Sequence, residues 1–139
     1  MRELTSHKVN HCNDGLKIQV LDEPGAGEAN HRYHVTTTET PPAIGGGMSR
    51  ESLEKAQQML KAVHDIRFQD GPIAEVGTNG ITHEALLAII EDRLKSFQAG
   101  PYACRENAIA LTHIQDAMHW LHHRTRERLA RGVEGTHAK

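Results

Sequence analysis

Four arginines, Arg124, Arg126, Arg128 and Arg131, fall within eight positions near the end of a 139-residue chain. Arg124, Arg128 and Arg131 are spaced i, i+4 and i+7, so on a helix they share one face while Arg126 points elsewhere. Planar guanidinium forks grip phosphate oxygens in pairs, which makes this face a candidate site for a small anion. The competing reading needs no ligand, because cations at a helix C-terminus also complement its dipole. A second group lies between Phe97 and Asn107, where Phe97, Tyr102, Arg105 and Asn107 come close together in the chain. That set suits a purine: aromatic faces for stacking, and an amide that both donates and accepts at a base edge. Its competing reading has Phe97 in a core and Asn107 helping to start a helix.

Eleven histidines raise a metal hypothesis, with His119, His122 and His123 at i, i+3 and i+4 and His11-Cys12 as a second cluster. A closed zinc site needs four ligands, and a catalytic one needs three plus a nearby base. Neither His-Glu-x-x-His nor Cys-x-x-Cys occurs, so these are read as solvated helix histidines and no metal is expected. Gly25-Ala-Gly27 and Gly45-Gly-Gly47 complete no dinucleotide or P-loop fingerprint. No Gly-x-Ser-x-Gly elbow is present. Glu91 and Asp92 are adjacent, about 100° apart on a helix, and do not converge. Binding groups without an evident acid, base or nucleophile indicate a binder with no catalytic residue and no cofactor.

The elements that must carry these groups are legible from periodicity. Leu16–Leu21 alternates apolar and polar residues with Leu16, Ile18 and Val20 on one face, and His31–Thr38 is rich in β-branched residues with Tyr33 and Val35 in register. Asp22–Asn30 between them reads as a wide hairpin loop, and Lys8–Cys12 as a further short strand. Thr40–Gly47, with paired prolines and three glycines, reads as a linker. Ser49 caps a helix to about His64 with Leu53, Ala56, Leu60 and Val63 on its apolar face. Ile66–Gln69 follows as a strand and Gly77–Gly80 as a turn. Thr82 caps a helix to about Gln98 whose stripe is Leu86, Ile89, Ile90, Leu94 and Phe97, and Gly100-Pro101 stops it. A longer helix runs from Arg105 to Arg131 and ends at Gly132. Its seam of Leu111, Ile114, Met118, Leu121, Thr125 and Arg128 is spaced as in a coiled coil. The expected fold class is therefore α+β: a small N-terminal antiparallel sheet, then a two-helix hairpin that oligomerises, because its seam outruns the shorter helix. The expected division is a β-rich part over 1–81 and the hairpin over 82–139.

Composition bounds the function. The net charge is −2 with 37% hydrophobic and 4% aromatic residues, enough for a modest core. No apolar run approaches a membrane span and Met1–His7 carries no secretory signal, so the cytoplasm is the default. Cys12 and Cys104 cannot build a disulfide framework. Up to Gly100 there are 10 Lys+Arg against 14 Asp+Glu, and beyond it 6 against 4. A localised cation cluster in an acidic chain favours a small anion over a duplex.

Several short motifs now occur together. Ile66-Arg-Phe-Gln-Asp-Gly-Pro-Ile73, Gly77-Thr-Asn-Gly-Ile-Thr82, Asp92-Arg-Leu94, Phe97-Gln98-Ala99-Gly100, Cys104-Arg-Glu-Asn-Ala108, Arg124-Thr-Arg-Glu-Arg128 and Arg131-Gly-Val-Glu-Gly-Thr136 follow in order. This stretch, about half the chain, resembles the Thoeris anti-defence sponge proteins of bacteriophages, which share a helical-hairpin domain with the anti-CBASS sponges. The resemblance implies a homo-oligomer, a dimer or a trimer of dimers. It would sequester cyclic ADP-ribose-type signals without cleaving them in the infected or prophage-bearing host, and at separate sites cyclic di- or trinucleotides. It further implies that Phe97 stacks on the adenine and Asn107 hydrogen-bonds it. Arg124 and Arg128 would grip the pyrophosphate with Arg105 assisting. The Arg131–Thr136 tail would lie near the pocket, and Tyr102 would serve a second, cyclic-dinucleotide site. The segment Thr37–Asp65 departs from the family's shorter pattern. Two alternatives stand beside this reading: a nucleic-acid-binding regulator using the arginine-rich helix end, and a purely structural oligomer.

Overall fold

A computed structural model describes residues 1–9, 11, 13–38 and 47–138. The chain divides into two compact units, Met1–Arg67 and Phe68–Lys139. The fold class is α+β: a small N-terminal sheet, followed by C-terminal helices.

The first unit holds strands β1 (Arg2–Leu4), β2 (Leu16–Val20), β3 (Arg32–Thr37) and β4 (His64–Arg67), with helix α1 (Arg50–Leu60) between β3 and β4. The four strands form an antiparallel meander in sequence order. Register follows hydrophobic alternation: Ile18 faces Val35, and Val20 faces both Tyr33 and, through it, Ile66. The buried hydrophobic residues among those described are Val20, at 1% exposure, Ala56 and Met59. The β2–β3 connection is shaped by Asp22, whose carboxylate accepts the backbone N–H groups of His31 (2.8 Å) and Arg32 (3.1 Å). Burial pushes this carboxyl up, but those two donors and its own backbone N–H bring it, on balance, below the usual value.

A strand at Arg2–Leu4 was not expected. Of the expected strand Lys8–Cys12, Asn10 and Cys12 lie outside the described residues, as does most of the Thr40–Gly47 linker, and the Lys8 N–H closes a turn onto the Thr5 carbonyl (3.0 Å). Two expectations change in this unit. Ser49 caps α1 as expected, accepting the Ser52 N–H, but the buried face is Ala56 and Met59, leaving Leu53 and Leu60 exposed. The last strand lies two residues earlier, at His64–Arg67, because Ile66 must align with Tyr33.

The second unit begins with a loop tied to itself. Phe68 bridges Ile81 in parallel. The Gln69 side chain donates to the Gly77 carbonyl (2.8 Å) and accepts the Asn79 N–H (3.0 Å), and Asn79 in turn bonds both backbone groups of Asp70. Gly80 is required: a Cβ there would lie 2.3 Å from the Phe68 carbonyl carbon. A single-turn helix α2 (Ile73–Val76) sits within this loop. Helices α3 (His83–Ala99) and α4 (Arg105–Ala130) then form the hairpin. Thr82 caps α3 by accepting the Ala85 N–H (3.2 Å), and Gly132 terminates α4 at φ 69°. The two helices pack together, with Gln115 of α4 donating to Glu91 of α3 (3.3 Å). Hydrogen bonds from Lys95 and Gln115 hold the Glu91 carboxyl below its ordinary range. Neither helix contains a buried residue. The expected seam of α4 is half-buried throughout, whereas Ile89 and Ile90, expected in the α3 stripe, point outward.

Candidate ligand-binding site

The hairpin corner is built by three interlocking residues. Gln98 near the end of α3 accepts the Cys104 N–H through Oε1 (3.1 Å), and Cys104 Sγ accepts the Asn107 N–H (3.4 Å) as the cap of α4. These bonds fix Asn107 in the first turn of α4, half-buried, relative to Phe97 one residue before Gln98. Tyr102 meets the Phe97 ring edge-on, with centroids 6.4 Å apart, and is 74% exposed. Arg93, one turn before Phe97, holds its guanidinium carbon 5.2 Å from that ring's centroid. Together with Ile89, Asp92, Ser96 and the Gly100-Pro101 turn, these side chains line an open groove of about 500 Å³. Arg105 stands exposed at the first position of α4.

The far end of α4 is organised differently. Arg128 is nearly covered, and its guanidinium is engaged by the chain's own tail. Nε donates to Glu134 Oε2 (2.8 Å), Nη1 to the Ala138 carbonyl (2.7 Å), and Nη2 to the carbonyls of Val133 and Thr136 (2.9 Å each). The tail is held again from α2, where the Ala74 N–H reaches the Gly135 carbonyl (3.4 Å) and His137 pairs with Glu75 (3.3 Å). Arg128 thus orders residues 133–138, a task its position on the seam did not disclose. Arg124 and Arg131 are exposed on the same side of the helix. The central histidines have a partner of another kind: His119 and His123 flank Trp120 edge-on, at 5.5 and 5.8 Å.

The sequence-derived residues therefore fall into two sets. Phe97 and Tyr102 line the groove at the corner, Arg105 and Asn107 lie in the first turn of α4 outside that lining, and Arg124, Arg128 and Arg131 stand at the opposite end of α4. At 1.5 Å per residue, Asn107 is about 26 Å from Arg124 and about 32 Å from Arg128 along the helix axis. No nucleotide-sized ligand bridges that distance within one copy. Sequence reasoning missed Arg93 and Asp92 as groove residues. The signal was available, since Arg93 and Phe97 are related by i, i+4 and must be neighbours on a helix.

Residues 60–126 match the protein family described as Acb2/Tad1, hairpin domain. Among curated relatives, the protein named Thoeris anti-defense 1 from Bacillus phage SBSphiJ7 is 50% identical over 74 residues. That match covers 53% of this chain and 52% of the relative, so the chain matches about half the length of that protein.

Proposed function

We propose, from the match of residues 60–126 to the Acb2/Tad1 hairpin-domain family, that this chain is a phage anti-defence sponge. It binds a cyclic ADP-ribose-type signal between copies of itself and releases it chemically unchanged, so depriving Thoeris immunity of its messenger. The observation that carries the reading is the division of the binding groups along α4. The base-recognising corner and the arginine-bearing end are too far apart in one copy. Two α4 helices paired antiparallel bring one copy's corner to its partner's arginines. The unburied hairpin supports such pairing: Ile89 (66% exposed) and Trp120 (66%) leave apolar surface that a second copy covers.

Each side chain then has a role. Phe97 stacks on the adenine, with Arg93 already on its other contact surface, and Asn107 reads the base edge. Arg124 grips the pyrophosphate, assisted by Arg131 and Arg105. Arg128 contributes by holding the 133–138 tail in place beside them. Tyr102 and the groove it lines serve a second ligand, a cyclic di- or trinucleotide. Sequestering a scarce messenger calls for a nanomolar Kd, about −12 kcal/mol, within reach of charge-assisted hydrogen bonds and stacking in a preformed pocket.

The test is calorimetry with cyclic ADP-ribose isomers on the full chain, followed by analysis of the recovered ligand. Tight binding with intact ligand is expected, at least a hundredfold weaker in Asn107→Ala and Arg124→Ala. Ligand recovered cleaved, or binding indifferent to both substitutions, overturns the proposal. A mixture of the two single variants provides a sharper check on composite sites. Mixed dimers that pair a copy lacking the amide with a copy lacking the arginine retain one intact pocket.

A further inference from the structure

The polar face of the sheet carries two arginines that hydrophobic patterning does not explain. Arg32 of β3 lies directly opposite Arg67 of β4, and His34 opposite Asp65. Strand alternation places Arg32, His34, Asp65 and Arg67 on one face, opposite to Tyr33, Val35 and Ile66. Like charges at directly paired positions, with Cβ atoms about 5 Å apart, destabilise a sheet. A nearby carboxylate would relieve the repulsion, but the acids close in register or sequence are engaged elsewhere. Asp65 is bonded to His34, and the Asp22 carboxylate accepts backbone N–H groups, that of Arg32 among them. Both arginines are exposed, and neither guanidinium has a hydrogen bond or ion pair among the described residues.

We propose that Arg32 and Arg67 form an anion site for a small phosphate-bearing ligand, separate from the arginines of the hairpin. Two guanidinium forks carried at directly paired positions of one sheet face can present donors to the oxygens of one phosphate or of a diphosphate. The anion turns the cross-strand repulsion into attraction on both sides. Asp22 keeps the β3 backbone fixed at Arg32, so one of the two forks starts from a held position. Binding to the folded sheet stabilises it by linkage, and the site does not depend on the sponge reading of the hairpin.

The experiment titrates the full chain with sodium pyrophosphate at constant ionic strength, following backbone amide NMR shifts and the thermal midpoint. Saturable shifts at the amides of Arg32 and Arg67 are expected, together with a raised midpoint. Affinity is expected to fall at least tenfold in Arg32→Gln and in Arg67→Gln but to persist in Arg124→Gln, which separates this site from the helix end. Without pyrophosphate, Arg67→Glu is expected to melt higher than the parent chain, because it pairs with Arg32, and to lose the saturable response. That variant shows that lost binding is not lost folding. Shifts that merely track sodium chloride, or that survive in the Arg32→Gln/Arg67→Gln double variant, overturn the proposal. So does an Arg67→Glu chain no more stable than the parent.

Discussion

The sheet unit closes a core on Val20, Ala56 and Met59, while the hairpin unit, which holds the two longest helices, buries no residue of either. The first obtains its stability from side chains that no longer touch water. In the second, α3 and α4 are joined by a half-buried seam, by caps at their starts and by the Gln115–Glu91 bond. Its outward apolar residues remain available. The contrast teaches that absent burial in a regular, well-capped element is itself informative: a helix pair of this length needs a further surface to cover its stripe. It also separates residues whose loss should unfold the chain from residues whose loss should disturb only binding or assembly.

Substitutions sharpen or break that contrast. The largest effect is expected from Val20→Ala, about 2–3 kcal/mol of stability lost to a cavity at the centre of the sheet unit, measured by denaturant unfolding. If Val20→Ala costs no more than an exposed hairpin substitution such as Leu129→Ala, the contrast between the units is wrong. Next, Arg128→Ala removes charge-assisted bonds to the tail and should cost about 2 kcal/mol. Hydrogen exchange should show it as faster exchange at residues 133–138, with α3 unaffected. A smaller loss, about 1 kcal/mol, is expected from Thr82→Ala, which removes the α3 cap; calorimetric unfolding reads it.

The smallest effect is the pH dependence that Asp22 gives the sheet unit. The Asp22 carboxyl is depressed in the folded chain below its ordinary value of 3.8. Its contribution to stability is therefore complete above that value and fades as pH falls through the lower folded value. Asp22→Asn should be less stable than the parent chain near neutrality, and the difference should shrink on acidification below pH 3.8. A difference that stays constant or grows toward acid would show that Asp22 is not held as its hydrogen bonds indicate.

Elements with strong period and clear punctuation were legible in the sequence. Thr82, Cys104–Arg105 and Gly132 bracket the hairpin within a residue or two, since caps and left-handed glycines are local requirements. The strands β2 and β3 and their pairing follow from alternation alone. The face of α1 was not legible, because Leu53, Ala56, Met59 and Leu60 form two overlapping stripes. Which one turns inward depends on contacts outside the helix itself. The strand Arg2–Leu4 was not legible, because so short a segment is decided by its pairing partners, here Val20 and Ile18. At the candidate site, residue types were readable and partners were not. Arg128 looks like its neighbours Arg124 and Arg131 until the tail folds back onto it.

The sequence by itself determined the hairpin, the identity of its polar and aromatic groups and the family it resembles, because helix periodicity, caps and motifs are properties of neighbouring residues. The same periodicity places the corner and the arginine-bearing end at opposite ends of one long helix. Only the tertiary structure decided that one arginine serves the tail and that Arg32 and Arg67 meet across two strands. Those facts depend on how the chain folds back on itself, and no local pattern encodes which partner a side chain then meets.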